Sequence, residues 1–178
     1  MLAAAAAQAD RLVVGVDANA AAMTAASARA AAKPARGGLP NALFVVAAVE
    51  ALPCELDGVA DLVTVHFPWG SLLRGVLGAE PATMAGLTRI LRPGAALSLL
   101  VSSTVRDRGA GVAPLTAPCM QALAGSYAAW GLAVTDLRPA TAADVAAAHS
   151  TWGKRLAAGA RRPAWLLRAR FDPPAPAA

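Results

Sequence analysis

Phe67-Pro68-Trp69-Gly70 and Ser150-Thr151-Trp152 are the segments whose residue types and setting best suit chemistry. Aromatic residues make up only 4% of the chain, yet two of its four tryptophans stand in polar, turn-like contexts where a packed core does not need them. Pro68-Trp69-Gly70 directly follows an apolar run, Leu62 to Phe67, that reads as a buried strand. In an open α/β sheet, ligands bind just beyond the carboxyl ends of strands. Two exposed indoles that converge there can hold a flat aromatic ring, such as a nucleobase drawn out of its stack. Plainer readings stand beside this one. Trp69 can fold back over the strand ends, and Trp152 can dock on the core as an ordinary helix residue. Trp130 and Trp165 lie in or beside regular elements and read as core or edge packing.

Two acids follow strands. Asp17 ends the Val-rich run 11–17. An acid at that place in nucleotide-binding α/β folds accepts hydrogen bonds from ribose hydroxyls. Its alternative role is to cap the helix that starts at Ala20. The segment Ala48-Val49-Glu50-Ala51 follows the next strand, where backbone and carboxylate can read an adenine edge; otherwise Glu50 is a solvated loop residue.

Basic residues gather in three places: Arg29, Lys33 and Arg36; Arg106 and Arg108; and Lys154, Arg155, Arg161, Arg162, Arg168 and Arg170. Each group alone reads as a solvated face. Around one pair of tryptophans they would form a phosphate-binding surface, with arginine suited to bidentate contact. The net charge of +5 agrees with a polyanionic partner without specifying one.

The elements that must position these residues alternate between strand and helix. Helices are expected over 2–9, 20–32, 71–77, 81–91 and 117–130, with one or two more within 142–159. Strands are expected over 11–17, 43–47, 62–67, 95–102, 132–137 and 164–171. Arg92-Pro93-Gly94 reads as a loop, and Asp172–Ala178 as a disordered Pro/Ala tail. This pattern predicts an α/β fold, a mostly parallel sheet covered on both faces, with one antiparallel edge formed by the last strands. At 178 residues the chain is expected to be a single domain, 1–171, followed by the tail. Cys54 and Cys119 form no Cys-x-x-Cys pair and read as small semi-buried residues of a reducing compartment. With two histidines in the chain, no metal site is expected. No stretch has transmembrane length and purity, and the apolar run 1–7 lacks the basic start of a signal peptide, so a cytoplasmic protein is expected.

Four blocks in order are less generic: Lys33–Asn41, Glu50-Ala51-Leu52-Pro53, Phe67–Gly78 and Ser150–Leu156. Together they resemble the aminoglycoside-resistance 16S rRNA (adenine(1408)-N(1))-methyltransferases of the kanamycin–apramycin type. The likeness runs through nearly the whole chain, and the Pro-Trp-Gly block is specific. The resemblance implies the class I (Rossmann-like) methyltransferase sheet and S-adenosylmethionine as cofactor. Asp17 would bind its ribose, and Ala48 and Glu50 its adenine end. Trp69 and Trp152 would sandwich the flipped adenine, with Pro68, Ser71 and Ser150 shaping the pocket. Lys33, Arg36, Arg106, Arg155 and Arg162 would dock on 16S rRNA phosphates of the 30S subunit, the protein acting as a monomer away from membranes. Where the family carries a further basic residue this chain has Ala160, so one phosphate contact is expected to be missing.

A Gly-rich cofactor loop normally precedes the strand-end acid by roughly 20 residues. Counting back from Asp17 passes Met1, so the first strand of the fold and its loop are expected to be missing from this chain. Its neighbours would then expose long hydrogen-bonding edges, and the chain is expected to be unstable and to bind cofactor poorly. Two alternatives follow: an inactive rRNA-binding remnant, or a small-molecule methyltransferase whose binding is insensitive to salt.

Overall fold

A computed structural model describes residues 1–104, 107, 109, 111–150 and 162–173. The chain divides into two compact units, Met1–Pro53 and Cys54–Ala178.

The first unit contains helix α1 (Leu2–Ala7), strand β1 (Val13–Asp17), helix α2 (Ala20–Ala30) and strand β2 (Ala42–Val46). The strands run parallel, in a register that sets Val13 opposite Ala42 and Asp17 opposite Val46. Parallel pairing requires a crossover, and α2 supplies it. Asn19 starts that helix by accepting the Ala21 amide on its side chain. After α2 the chain tightens into a 3₁₀ turn, Pro34–Arg36, and passes Gly38. A Cβ at Gly38 would collide with the Ala32 carbonyl, so this loop closes only around a glycine. The Asn41 side chain donates to the Ala5, Gln8 and Arg11 carbonyls and fastens the end of α1 to the start of the sheet.

The second unit is built on four strands in the order β3-β4-β6-β5: β3 (Ala60–His66), β4 (Leu91–Ser102), β5 (Leu132–Pro139) and β6 (Ala164–Phe171). Helices α3 (Gly70–Gly78), α4 (Pro81–Ile90), α5 (Ala117–Ala128) and α6 (Ala142–Ala147) connect them. β3 and β4 are parallel, and β6 is antiparallel to both β4 and β5. The last two strands thus form the expected antiparallel end of the sheet, with β6 inside it and β5 at the edge. The burial pattern of β6 agrees with its interior place: Trp165, Leu166, Leu167 and Ala169 are covered on both faces. The expected loop 92–94 is corrected. β4 begins at Leu91, and the register jumps from Ala60 opposite Leu91 to Leu62 opposite Ala96, so Arg92-Pro93-Gly94 forms an irregularity inside the strand.

Paired residues on neighbouring strands share a face. Leu97, Leu99 and Val101 therefore stand with Ala169, Leu167 and Trp165, all buried. Leu73 and Val76 of α3, Met84 of α4, and Met120 and Tyr127 of α5 complete the interior. Tyr127 donates its hydroxyl to the Val76 carbonyl at 2.8 Å, and burial pushes its pKa upward. Trp165 is buried and donates its indole N–H to the Leu115 carbonyl. Trp130 is partly buried just beyond α5. Both cysteines are exposed and free, not semi-buried as expected. Cys54 opens a 3₁₀ turn with no buried residue, and Cys119 lies in the first turn of α5, whose buried contacts come from Met120, Leu123 and Tyr127. The Asp172 amide pairs with the Gly131 carbonyl, and 174–178 lie outside the described residues. Among the described residues no helix is long and apolar enough to cross a membrane.

Candidate methyltransferase site

In the first unit the carboxyl ends of β1 and β2 bring two predicted segments side by side. The Ala47 amide donates to the Asp17 carbonyl at 3.2 Å, extending the parallel ladder to the point where both strands stop. Asp17 is exposed there, and its Oδ1 accepts the Asn19 amide at 2.8 Å. Asn19 takes the helix-cap role that was the alternative for Asp17. Ala48 is extended and exposed, and its carbonyl accepts the Ala51 amide in the 3₁₀ turn Val49–Ala51 that carries Glu50. An acceptor carboxylate beside an exposed backbone segment suits a diol and a flat heterocycle. Lys33 and Arg36 are exposed on the turn after α2.

In the second unit the turn after β3 is built from unusual backbone. The Phe67 amide donates to the Leu100 carbonyl at 2.7 Å, prolonging the β3–β4 pairing by one residue. Phe67 then takes a positive φ of 51°, while its ring is buried. A non-glycine residue in this region costs of order 1–3 kcal/mol and persists only when the surroundings enforce it. Pro68 is buried, Trp69 is extended, and Gly70 turns left-handed again at φ 61°. Two reversals around one extended residue throw the indole outward. Trp69 is 72% exposed, more than any other large apolar residue described. It precedes α3 without a side-chain cap, and Ser71 is exposed in the first turn.

The second tryptophan segment is approached through α6. A capping box formed by Thr141 and Asp144 starts this helix, His149 closes it at φ 47°, and Ser150 is half-buried. Thr151, Trp152 and Arg155 lie outside the described residues, as does Arg106. Ala160, the position of the expected missing contact, does too. Arg162 is exposed just before β6.

Three features of this region escaped the sequence reading. Phe67 is not only the end of a strand. With Leu100, Ala164 and Leu166 it forms a buried cluster against which Ala140, Val145 and Ala148 pack. His66 lies beside it, with a hydrogen bond to the Ala148 backbone. Desolvation nonetheless keeps its pKa below the usual histidine value. Arg138 grips Asp144 bidentately at 2.7 and 3.0 Å and reaches Asp136 at 3.3 Å. Arg138, then Thr141, hold the Asp144 carboxyl well below the usual carboxylate range. Thr141-x-x-Asp144 is a capping-box pattern readable in the sequence; the arginine partner is not.

Parallel strands joined by helices, with an antiparallel strand inserted between two parallel ones, and an acid at a strand's carboxyl end define a class I methyltransferase fold. A family model described as NpmA, 16S rRNA (adenine(1408)-N(1))-methyltransferase, matches residues 1–171. A 16S rRNA (adenine(1408)-N(1))-methyltransferase from Streptoalloteichus hindustanus is 42% identical over 152 residues, 83% of this chain and 70% of the relative. A tryptophan-to-alanine variant of the Catenulisporales acidiphilia enzyme of the same name, solved with cosubstrate SAM, superposes with a TM-score of 0.86 at 35% identity. That match covers 99% of this chain and 82% of the other. The aminoglycoside resistance methyltransferase NpmB1 superposes with a TM-score of 0.80 at 39% identity, over 96% and 80% of the two chains. The chain belongs to the 16S rRNA (adenine(1408)-N(1))-methyltransferase family.

Proposed function

We propose that this protein transfers a methyl group from S-adenosylmethionine to N1 of adenine 1408 in 16S rRNA, acting as a cytoplasmic monomer on the 30S subunit, and so confers aminoglycoside resistance. The observation that carries the reading is Trp69. In a member of this family, a 72%-exposed indole stands on a doubly reversed turn at the carboxyl end of a sheet strand. Nothing in the packing needs it there, whereas a base out of its stack does.

S-adenosylmethionine supplies an electrophilic methyl on a sulfonium. Adenine N1 brings its own lone pair, so no side chain has to remove a proton before the bond forms. The protein's contribution is placement. Asp17 would accept the ribose hydroxyls of the cofactor, while Ala48 and Glu50 contact its adenine end. Trp69 and Trp152 would sandwich the target adenine, each stack contributing about 1–3 kcal/mol. Pro68, Ser71 and Ser150 would shape the pocket. Lys33, Arg36, Arg106, Arg155 and Arg162 would hold rRNA phosphates, with a salt dependence that follows the number of contacts. The added methyl occupies the Watson–Crick edge of the adenine.

The test is reverse transcription of 16S rRNA from 30S subunits incubated with the protein and S-adenosylmethionine. N1-methyladenine blocks pairing, so a stop one nucleotide before adenine 1408 is expected. Absence of that stop with intact subunits and bound cofactor refutes the activity.

A further inference from the structure

The turn that carries Trp69 and the helix that leads to Ser150 meet on one small patch of core. Phe67 immediately precedes Pro68-Trp69, and its ring is 2% exposed within the cluster of Leu100, Ala164 and Leu166. Val145 and Ala148 of the α6 region cover that cluster, and the chain then runs through His149 to Ser150. Both approaches contain a non-glycine residue at positive φ, Phe67 at 51° and His149 at 47°. Strain of this kind is retained where surrounding contacts over-determine the backbone, and it gathers at sites that need fixed geometry.

What holds α6 in place is not its own helicity. Six residues are far too few for a helix to persist unaided in water. The Arg138 guanidinium, on β5, supplies the anchor. Its Nη1 and Nη2 donate to Asp144 Oδ2 and Oδ1 at 2.7 and 3.0 Å, and Nε faces Asp136 Oδ2 at 3.3 Å. Asp144 Oδ2 also accepts the Thr141 amide and hydroxyl, each at 2.7 Å, while Thr141 Oγ1 accepts the Asp144 amide at 3.2 Å. A planar fork matched to a carboxylate fixes orientation as well as distance. The sheet therefore dictates where α6 ends, and with it where the Ser150 segment begins.

We infer that Arg138 and Asp144 are positioning residues for methyl transfer, clamping α6 onto the Phe67 cluster so that Ser150 is held in register with the Trp69 turn. This rests on the proposed adenine-N1 activity and adds to it a device that acts through the backbone, without touching substrate or cofactor.

The experiment uses the full chain and four variants: Arg138→Gln, Asp144→Asn, the double variant, and Arg138→Lys, which keeps the charge and loses the fork. Arg92→Gln, which breaks an exposed ion pair with Asp61, is the control. Measured for each are thermal midpoint, affinity for S-adenosylmethionine, kcat and KM on 30S subunits, and hydrogen exchange at the Ala148 and His149 amides. These amides bond to the Asp144 and Ala146 carbonyls. Each single neutral variant is expected to lower kcat about tenfold, with KM and cofactor affinity within about twofold of wild type. The double variant should be no worse than the poorer single one, because the partners act as one unit. Arg138→Lys should fall in between. Exchange at Ala148 and His149 should quicken about tenfold while β4 and β6 amides stay protected. Variants that methylate within twofold of wild type overturn the inference, as does a parallel loss of cofactor affinity and activity. A wild-type chain that binds S-adenosylmethionine but leaves the 30S adenine unmodified overturns the proposed function, and the clamp's catalytic role with it. Wild-type activity with unaffected variants overturns the clamp alone.

Discussion

The two compact units carry opposite ends of the proposed reaction on very different scaffolds. Met1–Pro53 offers Asp17, Ala48 and Glu50 from two five-residue strands. Met23 and Leu52 are buried there, but Leu12 is 62% exposed, Leu43 51% and Val46 58%. Cys54–Ala178 offers Trp69 and Ser150 from a four-stranded sheet in which Leu97 and Leu167 are fully buried. A two-stranded sheet is marginal by itself, whereas a four-stranded sheet with an apolar face packed against helices is not. The difference teaches that the Trp69 turn stands on a rigid scaffold, whereas the segment proposed to hold the cofactor gains most from a bound ligand. A ligand that binds only the folded form stabilises it by mass action.

The sharpest way to break this contrast is a matched pair of truncations. Leu97→Ala in β4 should cost about 2–5 kcal/mol of unfolding free energy, through lost transfer and a residual cavity. Leu43→Ala in β2 should cost under about 0.5 kcal/mol, because that side chain is half in water already. Denaturant titration decides; equal losses would show that the first unit is as well packed as the second. Trp69→Ala comes next. It should reduce kcat/KM on 30S subunits by the equivalent of about 1–3 kcal/mol while leaving the melting midpoint unchanged. A variant that methylates normally sinks the stacking role.

Smaller effects refine the comparison. Tyr127→Phe leaves the Val76 carbonyl without its 2.8 Å donor, and about 1 kcal/mol of stability should go with it. Native-state hydrogen exchange should find β1 and β2 amides exchanging faster than those of β4 and β6, with saturating S-adenosylmethionine narrowing the gap. The slightest effect is on pH dependence. His66 has a lowered pKa in the folded protein, so the neutral ring is favoured there. Its contribution is complete above about 6.5, the unfolded value, and is lost as pH falls through the folded value. Asp144 is also depressed, so its contribution is complete above about 3.9 and is lost as pH falls further. Thermal midpoints should therefore decline from pH 7 to 5, and His66→Gln should flatten that slope. A slope unchanged in His66→Gln assigns it to other groups.

Much of the site was legible because strand ends and turns are local. Val13–Asp17 ends in an acid because an apolar run meets a polar residue, and Pro68 and Gly70 announce the turn around Trp69. The position of β6 was not legible. Both an edge strand and an interior one can read Ala-Trp-Leu-Leu-Arg-Ala-Arg-Phe, and only the pairing with β4 on one side and β5 on the other separates them. The irregularity at Arg92–Gly94 was hidden for a related reason. Proline and glycine mark a break in local geometry, but whether the chain leaves the sheet there depends on the partner strand.

The chain's own residues determined the alternation of strands and helices, the turn that presents Trp69, the capping box at Thr141 and Asp144, and the acid that ends β1. All of these follow from interactions within a few residues of one another. The tertiary structure alone decided that Phe67 anchors the cluster on which α6 rests, that Arg138 reaches Asp144, and that β6 enters the sheet between β4 and β5. Those outcomes depend on contacts between distant segments, such as Phe67 with Leu166 or Arg170 opposite Ala96, whose energies exist only after the sheet has formed.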